Sequence, residues 1–152
     1  MLILSACGGS AAPKAQGSWQ TVRGPGIRFE APKGWKVVTV AARTTAAHGA
    51  DLVQVASYPL VKPYTDALFT KVEPELRSRM EDLAQQSGEQ VQGSKTVTAN
   101  GGRAHMFQLG DGDHVDEYTF VLKGKREHLL LCRRPKGAQT DYCARLITSF
   151  AA

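Results

Sequence analysis

The 152-residue chain lacks the motifs that mark the common classes of enzyme and cofactor-binding protein. It contains no Gly-x-Ser-x-Gly nucleophile elbow, no Walker phosphate loop and no Gly-rich dinucleotide fingerprint. It also contains no apolar run of the roughly 18 residues that a membrane-spanning helix needs. We therefore expect a protein with no catalytic residues, no cofactor and no transmembrane segment.

Cysteine is scarce, and the first of only three cysteines follows a short apolar segment. Leu4-Ser5-Ala6 stands directly before Cys7, and glycine and serine follow it. This pattern resembles the lipobox of bacterial lipoproteins, where the signal peptidase cuts before the cysteine. The resemblance implies that Cys7 carries a diacylglyceryl group and anchors the protein to the extracytoplasmic face of a bacterial membrane. An ordinary free cysteine is the alternative.

The lipobox resemblance divides the chain into three parts. Residues 1–6 are then a truncated signal segment, because they hold no Lys or Arg and are fewer than an export signal needs. Residues 7–18 comprise the lipidated cysteine and a Gly-, Ser- and Ala-rich tether, whose r.m.s. reach is roughly 18 Å. Residues 19–152 form one folded domain with a single core.

The remaining cysteines, Cys132 and Cys143, form an even pair in a compartment where disulfides persist. A bond between them closes a loop of about 12 residues and stabilises the fold by nearly 3 kcal/mol in the chain-entropy model. Two buried thiols are the alternative. A structural metal site is disfavoured, because no second cysteine pair completes four ligands. We predict the disulfide and no metal centre.

A strand and a tight turn open the folded part of the chain. Apolar and charged residues alternate over residues 27–30, which is the period of a half-buried strand. Pro32 ends this strand, and Gly34 permits a turn. The segment resembles the PsbP-like family, which shares its fold with LpqN-type bacterial lipoproteins, through the pattern Phe29-x-x-Pro32-x-Gly34-Trp35-x-Val37.

One strand and one long helix are predicted in the middle of the chain. Residues 51–59 alternate as a strand, whereas residues 41–49 are too small and too polar to form core. The helix covers residues 65–86 and ends at Gly88, and Pro74 predicts a kink or two abutting helices. Its apolar stripe consists of Leu68, Phe69, Val72, Leu76, Met80 and Leu83.

The rest of the chain predicts a meander of antiparallel strands followed by a short helix. Alternating segments at 95–99, 103–109, 114–122 and 126–132 are joined by glycine-containing turns. The last helix is capped by Thr140 and directs Cys143 toward the sheet. This order resembles the PsbP-like layout over residues 19–150, which implies an α+β fold in which a single antiparallel β-sheet is sandwiched by helices.

The net charge of +5 arises entirely from the last fifth of the chain. Residues 1–120 contain 12 basic and 12 acidic side chains, while residues 121–152 contain seven and two. The excess forms two possible contact patches at opposite ends of one predicted strand, roughly 20 Å apart. Their members are Lys123, Lys125 and Arg126, and Arg133, Arg134 and Lys136.

Anionic lipid near the anchor or an acidic protein face are plausible partners for these patches. A solvated basic end without any partner is the alternative. Nucleic acid is not expected, because no aromatic-rich strand accompanies the cations and the domain lies outside the cytoplasm.

Two other sets of residues have side chains that could bind a metal ion or take part in catalysis, but we interpret both as structural. The carboxylates between Asp111 and Glu117 have the density of a calcium loop but fail the EF-hand template, since Asp116 stands where glycine is required. We interpret them as a solvated hairpin. The four histidines have no metal-ligand spacing and are interpreted as surface or core residues: His48, His105, His114 and His128.

The two resemblances together favour a binding protein over an enzyme. PsbP-like proteins mostly stabilise or accompany larger complexes, which implies a lipid-anchored, non-enzymatic binding or assembly module for a cell-envelope partner. The alternative is a carrier of an apolar ligand or lipid, held between the sheet and the helix over residues 68–83. LpqN-type lipoproteins favour that alternative, although no binding residue is transferred from them.

Overall fold

A computed structural model describes residues 18–152, and Cys7 with its predicted lipid lies outside them. Strands make up 59% of the described residues. The helices are α1 (Phe69–Ser87), which follows a single 3-10 turn (Asp66–Leu68), and α2 (Tyr142–Ser149). The extended segments are β1 (Trp19–Gly24), β2 (Ile27–Pro32), β3 (Lys36–Val40), β4 (Arg43–His48), β5 (Asp51–Tyr64), β6 (Gln90–Ala99), β7 (Gly102–Gly110) and β8 (His114–Pro135).

The extended segments form two antiparallel sheets. β1 and β2 form a separate two-stranded sheet, to which Ala151 adds a single bridge at Arg28. The larger sheet has the order β3-β4-β5-β8-β7-β6. Within β8 the chain doubles back. The hydrogen bond from the Lys136 N–H to the Asp113 carbonyl, 2.8 Å long, shows that the two ends of this segment lie side by side. A straight strand would hold these residues roughly 75 Å apart. Gly124 has a φ of 57° near the midpoint, as expected for the predicted turn there.

The prediction of a single sheet sandwiched by helices is wrong. α1 packs on one face of the larger sheet, chiefly over β6 and β7. The opposite face is covered by α2 and by the separate β1–β2 sheet. The hairpin can form this layer because alternate side chains face the core, and those of Val22, Ile27, Phe29 and Ala31 are buried. A second sheet thus replaces much of the expected helical layer.

The expectation that residues 41–49 stay outside the core is also wrong. They contain β4, in which Thr44 and Ala46 are only 1% and 0% exposed. Small side chains here let the β1–β2 hairpin approach closely, since a Cβ added to Gly24 would collide with the Thr44 hydroxyl. The small side chains of this segment, which argued against a core position, are therefore what the contact between the two sheets requires.

The helices begin and end close to the predicted residues, with two differences. α1 ends at Gly88, whose φ of 73° confirms the predicted C-terminal cap, and Pro74 lies inside one continuous helix, so the alternative of two abutting helices is wrong. α2 begins after Asp141 without a side-chain cap, so the predicted role of Thr140 is wrong. None of the helices within residues 18–152 is long and apolar enough to cross a bilayer.

The predicted disulfide between Cys132 and Cys143 is confirmed. Their Cα atoms are 5.4 Å apart, and both residues are buried among the side chains that α2 and the hairpin press against the sheet. Tyr142 continues this contact, because its ring lies edge-on to Trp35 with the centroids 4.9 Å apart. The bond therefore ties the start of α2 to β8.

Candidate functional site

An apolar groove of about 630 Å³ lies between α1 and the larger sheet. Its helix side is formed by Leu68, Val72 and Leu76, and its sheet side by Leu122 and Leu129. Ligand sites are typically clefts of about 300–1,000 Å³ with mostly apolar walls and a few polar groups. The groove has this character, and it lies between the sheet and the long helix.

The third wall of the groove is an irregular segment of β5. Pro59 pairs with Arg126 of β8, but the next pair joins Tyr64 to Gly124, so four residues of β5 oppose one residue of β8. Pro59 and Pro63 lack the N–H that a regular ladder needs, which explains why pairing fails between them. The segment arches away from the sheet and leaves Val61 98% exposed at the edge of the groove.

The groove stays open because α1 covers only part of its face of the sheet. Leu76, Met80 and Ala84 pack against the aromatic side chains of β7 and β8, including Phe107 and Phe120. α1 makes its main contacts with β6 and β7, and any contact with β5 is much smaller. The gap on the β5 side is the groove.

An ion pair crosses the groove from helix to sheet. The Arg79 guanidinium donates to both carboxylate oxygens of Glu127, at 2.7 and 3.0 Å, and lies 5.0 Å from the centre of the Phe120 ring. Glu127 is only 4% exposed. The hydrogen bonds to Glu127 are the main cause of a raised pKa of Arg79. The ion pair therefore places two opposite charges among apolar walls, with the arginine side chain half-exposed and the glutamate side chain buried.

The sequence suggested an apolar ligand between the sheet and the long helix, but it did not reveal the wall that β5 forms, although one signal for that wall was present. Two prolines four residues apart bracket Leu60, Val61 and Lys62, directly after a predicted strand. Such a spacing indicates an interruption of pairing rather than the end of a sheet element. The partnership of Arg79 with Glu127 spans 48 residues and left no local pattern.

The two predicted basic patches differ in the structure. Arg133 donates to both oxygens of Asp116 at 2.8 Å, and Arg134 donates to Glu117 at 3.3 Å. The second patch is therefore largely neutralised by the neighbouring arm of β8, and Lys136 is its exposed remainder. In the first patch, Lys123, Lys125 and Arg126 are all exposed around the Gly124 turn.

Three of the four carboxylates between Asp111 and Glu117 are already engaged by the protein, namely those of Asp111, Asp116 and Glu117. One Asp111 oxygen accepts the N–H groups of Asp113 and His114 at 2.7 and 2.8 Å, and these hydrogen bonds lower the pKa of Asp111. Asp116 and Glu117 bind arginines, as described above. No group of three His, Cys, Asp or Glu side chains within residues 18–152 is arranged to hold a metal ion.

Two of the histidines are buried in packed surroundings. His105 contacts the Phe69 carbonyl through Nε2 at 2.8 Å and stacks on the Phe69 ring. His128 hydrogen-bonds through Nδ1 to the Ser57 hydroxyl at 2.8 Å, and burial lowers its pKa. Both rings therefore act as core residues with a polar partner. His48 and His114 lie at the ends of β4 and β8, away from the groove.

No protein-family model matches the sequence, and no curated protein matches it either. Solved structures do match the fold. Cyanobacterial PsbP (CyanoP) from Synechocystis sp. PCC 6803 superposes with a TM-score of 0.61 at 14% identity, over 95% of this chain and 98% of that one. A protein from Bacteroides thetaiotaomicron VPI-5482 gives 0.58 at 12% identity, over 89% of this chain and 48% of that one. The fold is therefore PsbP-like.

Proposed function

We propose that the protein is a non-enzymatic binding module of the bacterial cell envelope, anchored through Cys7, and that the groove beside α1 is its ligand site. The observation that carries this proposal is the 630 Å³ groove, open on the β5 side and walled mostly by apolar side chains. The PsbP-like fold supports a binding role, because the resemblance implies proteins that accompany larger complexes. The disulfide supports an oxidising compartment.

A carrier of an apolar ligand is the specific form of this function that the groove favours. Leucine and valine side chains supply most of its contact surface, and each buried methylene of a ligand contributes about 0.8 kcal/mol. Lys62 lies among these walls without an ion pair in the described residues and provides a cation for an anionic end group, whereas Arg79 is already paired with Glu127. An acyl chain with a carboxylate or phosphate head fits this arrangement.

Filling the groove is expected to weaken ligand binding. In Val72→Trp, the indole occupies the space between α1 and β8, so affinity for a pyrene-labelled fatty acid falls about tenfold or more, equivalent to ~1.4 kcal/mol. The measurement is fluorescence titration, with native mass spectrometry of the purified full chain to detect a co-purifying lipid.

The matched control is Val40→Trp, which adds the same side chain on β3, where the valine is 67% exposed and outside the groove. This variant should bind the probe like the unsubstituted chain. An unsubstituted chain that purifies empty and does not bind the probe would eliminate the carrier. A loss of equal size in both variants would place the binding surface elsewhere.

Acylation of Cys7 has a direct test. Protein extracted from bacterial membranes should have an intact mass that includes a diacylglyceryl group, and Cys7→Ser should remove that mass and release the chain from the membrane fraction. The two acyl chains account for stable attachment, since one chain alone binds only marginally. An unacylated protein recovered in the cytosol would refute the anchor without affecting the groove.

A further inference from the structure

A surface with three arginines forms at the turn of the β1–β2 hairpin, where the sequence has no run of cations. Arg23 and Arg28 stand directly opposite each other in the β1–β2 register, and both are exposed. Like charges directly opposite on paired strands destabilise the pair. An oxyanion held between the two guanidinium groups would remove that repulsion.

The surroundings of the two arginines are concave and include a third arginine. Two shallow depressions of about 440 and 460 Å³ are each lined by both Arg23 and Arg28. A neighbouring depression of about 430 Å³ adjoins the first at Gly26 and Ala152, and Arg126 lines it. Cations about a hundred residues apart in the sequence thus meet at one end of the molecule. We call Arg23, Arg28 and Arg126 the arginine surface.

These arginines have no acidic partner within the part of the chain that the structure describes. None of the six ion pairs there involves Arg23, Arg28 or Arg126. The adjacent Arg145 differs, because it pairs with Glu30 at 3.0 Å and lies 4.7 Å from the centre of the Trp19 ring. The arginine surface therefore keeps its charge, whereas its neighbour is neutralised.

We propose that the arginine surface binds the phosphate groups of anionic phospholipids in the membrane that holds the anchor. Guanidinium groups bind phosphate through paired, charge-assisted hydrogen bonds, which suits facing arginines. β1 carries Arg23 and follows the residues predicted to form the tether. The length of β1, roughly 20 Å, is comparable with the reach of roughly 18 Å expected for that tether, so the surface is expected to contact the headgroups. This inference rests on the proposed membrane attachment.

Vesicle binding by the full chain with Cys7→Ser tests the inference without the acyl anchor. The chain should sediment with vesicles of phosphatidylglycerol and phosphatidylcholine but not with phosphatidylcholine alone. Adding Arg23→Gln and Arg28→Gln should lower the partition constant about 30-fold, from roughly 1 kcal/mol for each cation near the surface. The thermal midpoint should not fall, because the exchange removes a repulsion and no packing.

The matched control replaces Lys71 and Lys95 with glutamine, which removes the same charge from exposed positions on α1 and β6. It should retain most of the vesicle binding. Equal losses in the two double variants would mean that net charge alone matters, and unchanged binding in Arg23→Gln/Arg28→Gln would exclude this surface. Saturable binding of inorganic phosphate without vesicle binding would identify a free oxyanion as the ligand; all three results overturn the proposal. The acyl mass of Cys7 is measured separately, so either proposal can fail alone.

Discussion

Replacing Arg133 with methionine is expected to lower the free energy of unfolding by about 3–5 kcal/mol. The partner carboxylate, Asp116, is only 1% exposed and accepts one hydrogen bond on each oxygen at 2.8 Å. Without the guanidinium, a buried negative charge would remain with no compensation. Urea denaturation of the full chain measures the loss directly.

The surroundings of Asp116 show why water cannot easily replace Arg133. Neighbouring Tyr118 is 9% exposed, and its pKa is raised to about 12, chiefly by burial and further by the charge of Asp116. Tyr118 therefore lies where ionisation is costly. The hydrogen bonds that Arg133 donates to Asp116 are the main cause of the raised pKa of Arg133. The ion pair stabilises the fold because each charge satisfies the other.

Two comparison variants separate this mechanism from a simple loss of charge. Arg103→Met breaks an ion pair whose side chains are 51% and 70% exposed, and we expect a much smaller loss, because solvent already screens both charges. Adding Asp116→Leu to Arg133→Met should recover most of the lost stability, because the double exchange leaves no unpaired charge. If Arg133→Met proved no more harmful than Arg103→Met, the ion pair would not be a major source of stability.

The same ion pair illustrates why charge counted along the sequence was a poor guide to the surface. Arg133 and Arg134 were predicted as a contact patch because their acidic partners lie 17 residues earlier in the chain. The hairpin turn at Gly124 brings the two arms together, and opposite charges then face each other across neighbouring strands. By contrast, Arg23 and Arg28 face each other across a shorter hairpin. They form a basic surface within residues 1–120, whose basic and acidic side chains are equal in number.

Sequence patterns predicted most strands and both helices, but not the arrangement of the layers. Alternation at residues 27–30 identified β2 and its inward face, yet a period of two says nothing about which sheet a strand joins. The pairing of β2 with β1 alone, and their packing with α2, depend on contacts between residues more than a hundred positions apart, such as Glu30 N–H to the Ser149 hydroxyl.

The groove was only partly predictable for a related reason. The apolar stripe of the helix was correctly identified, and its buried members contact the sheet as expected. How much of the sheet the helix leaves uncovered depends on its position across the strands, which the stripe does not determine. The bulge at residues 60–63 then supplies a wall that regular pairing would have removed.

Removal of the disulfide is expected to lower the free energy of unfolding by about 3 kcal/mol, with a range of about 2–5. The two cysteines are 11 residues apart, and cross-linking this loop reduces the entropy of the unfolded chain. In Cys132→Ala/Cys143→Ala the thermal midpoint should fall on the order of 10 °C for a domain of this size. Thermal unfolding followed by circular dichroism provides the measurement.

Reductant provides the internal control for this prediction. Reduction should shift the midpoint of the unsubstituted chain toward that of the double variant, whereas the double variant itself should not respond. Because α2 helps cover the hairpin side of the sheet, loss of the bond should also increase amide exchange in α2 more than in α1. Equal midpoints with and without the bond would mean that packing of Leu146 and its neighbours alone holds α2 in place.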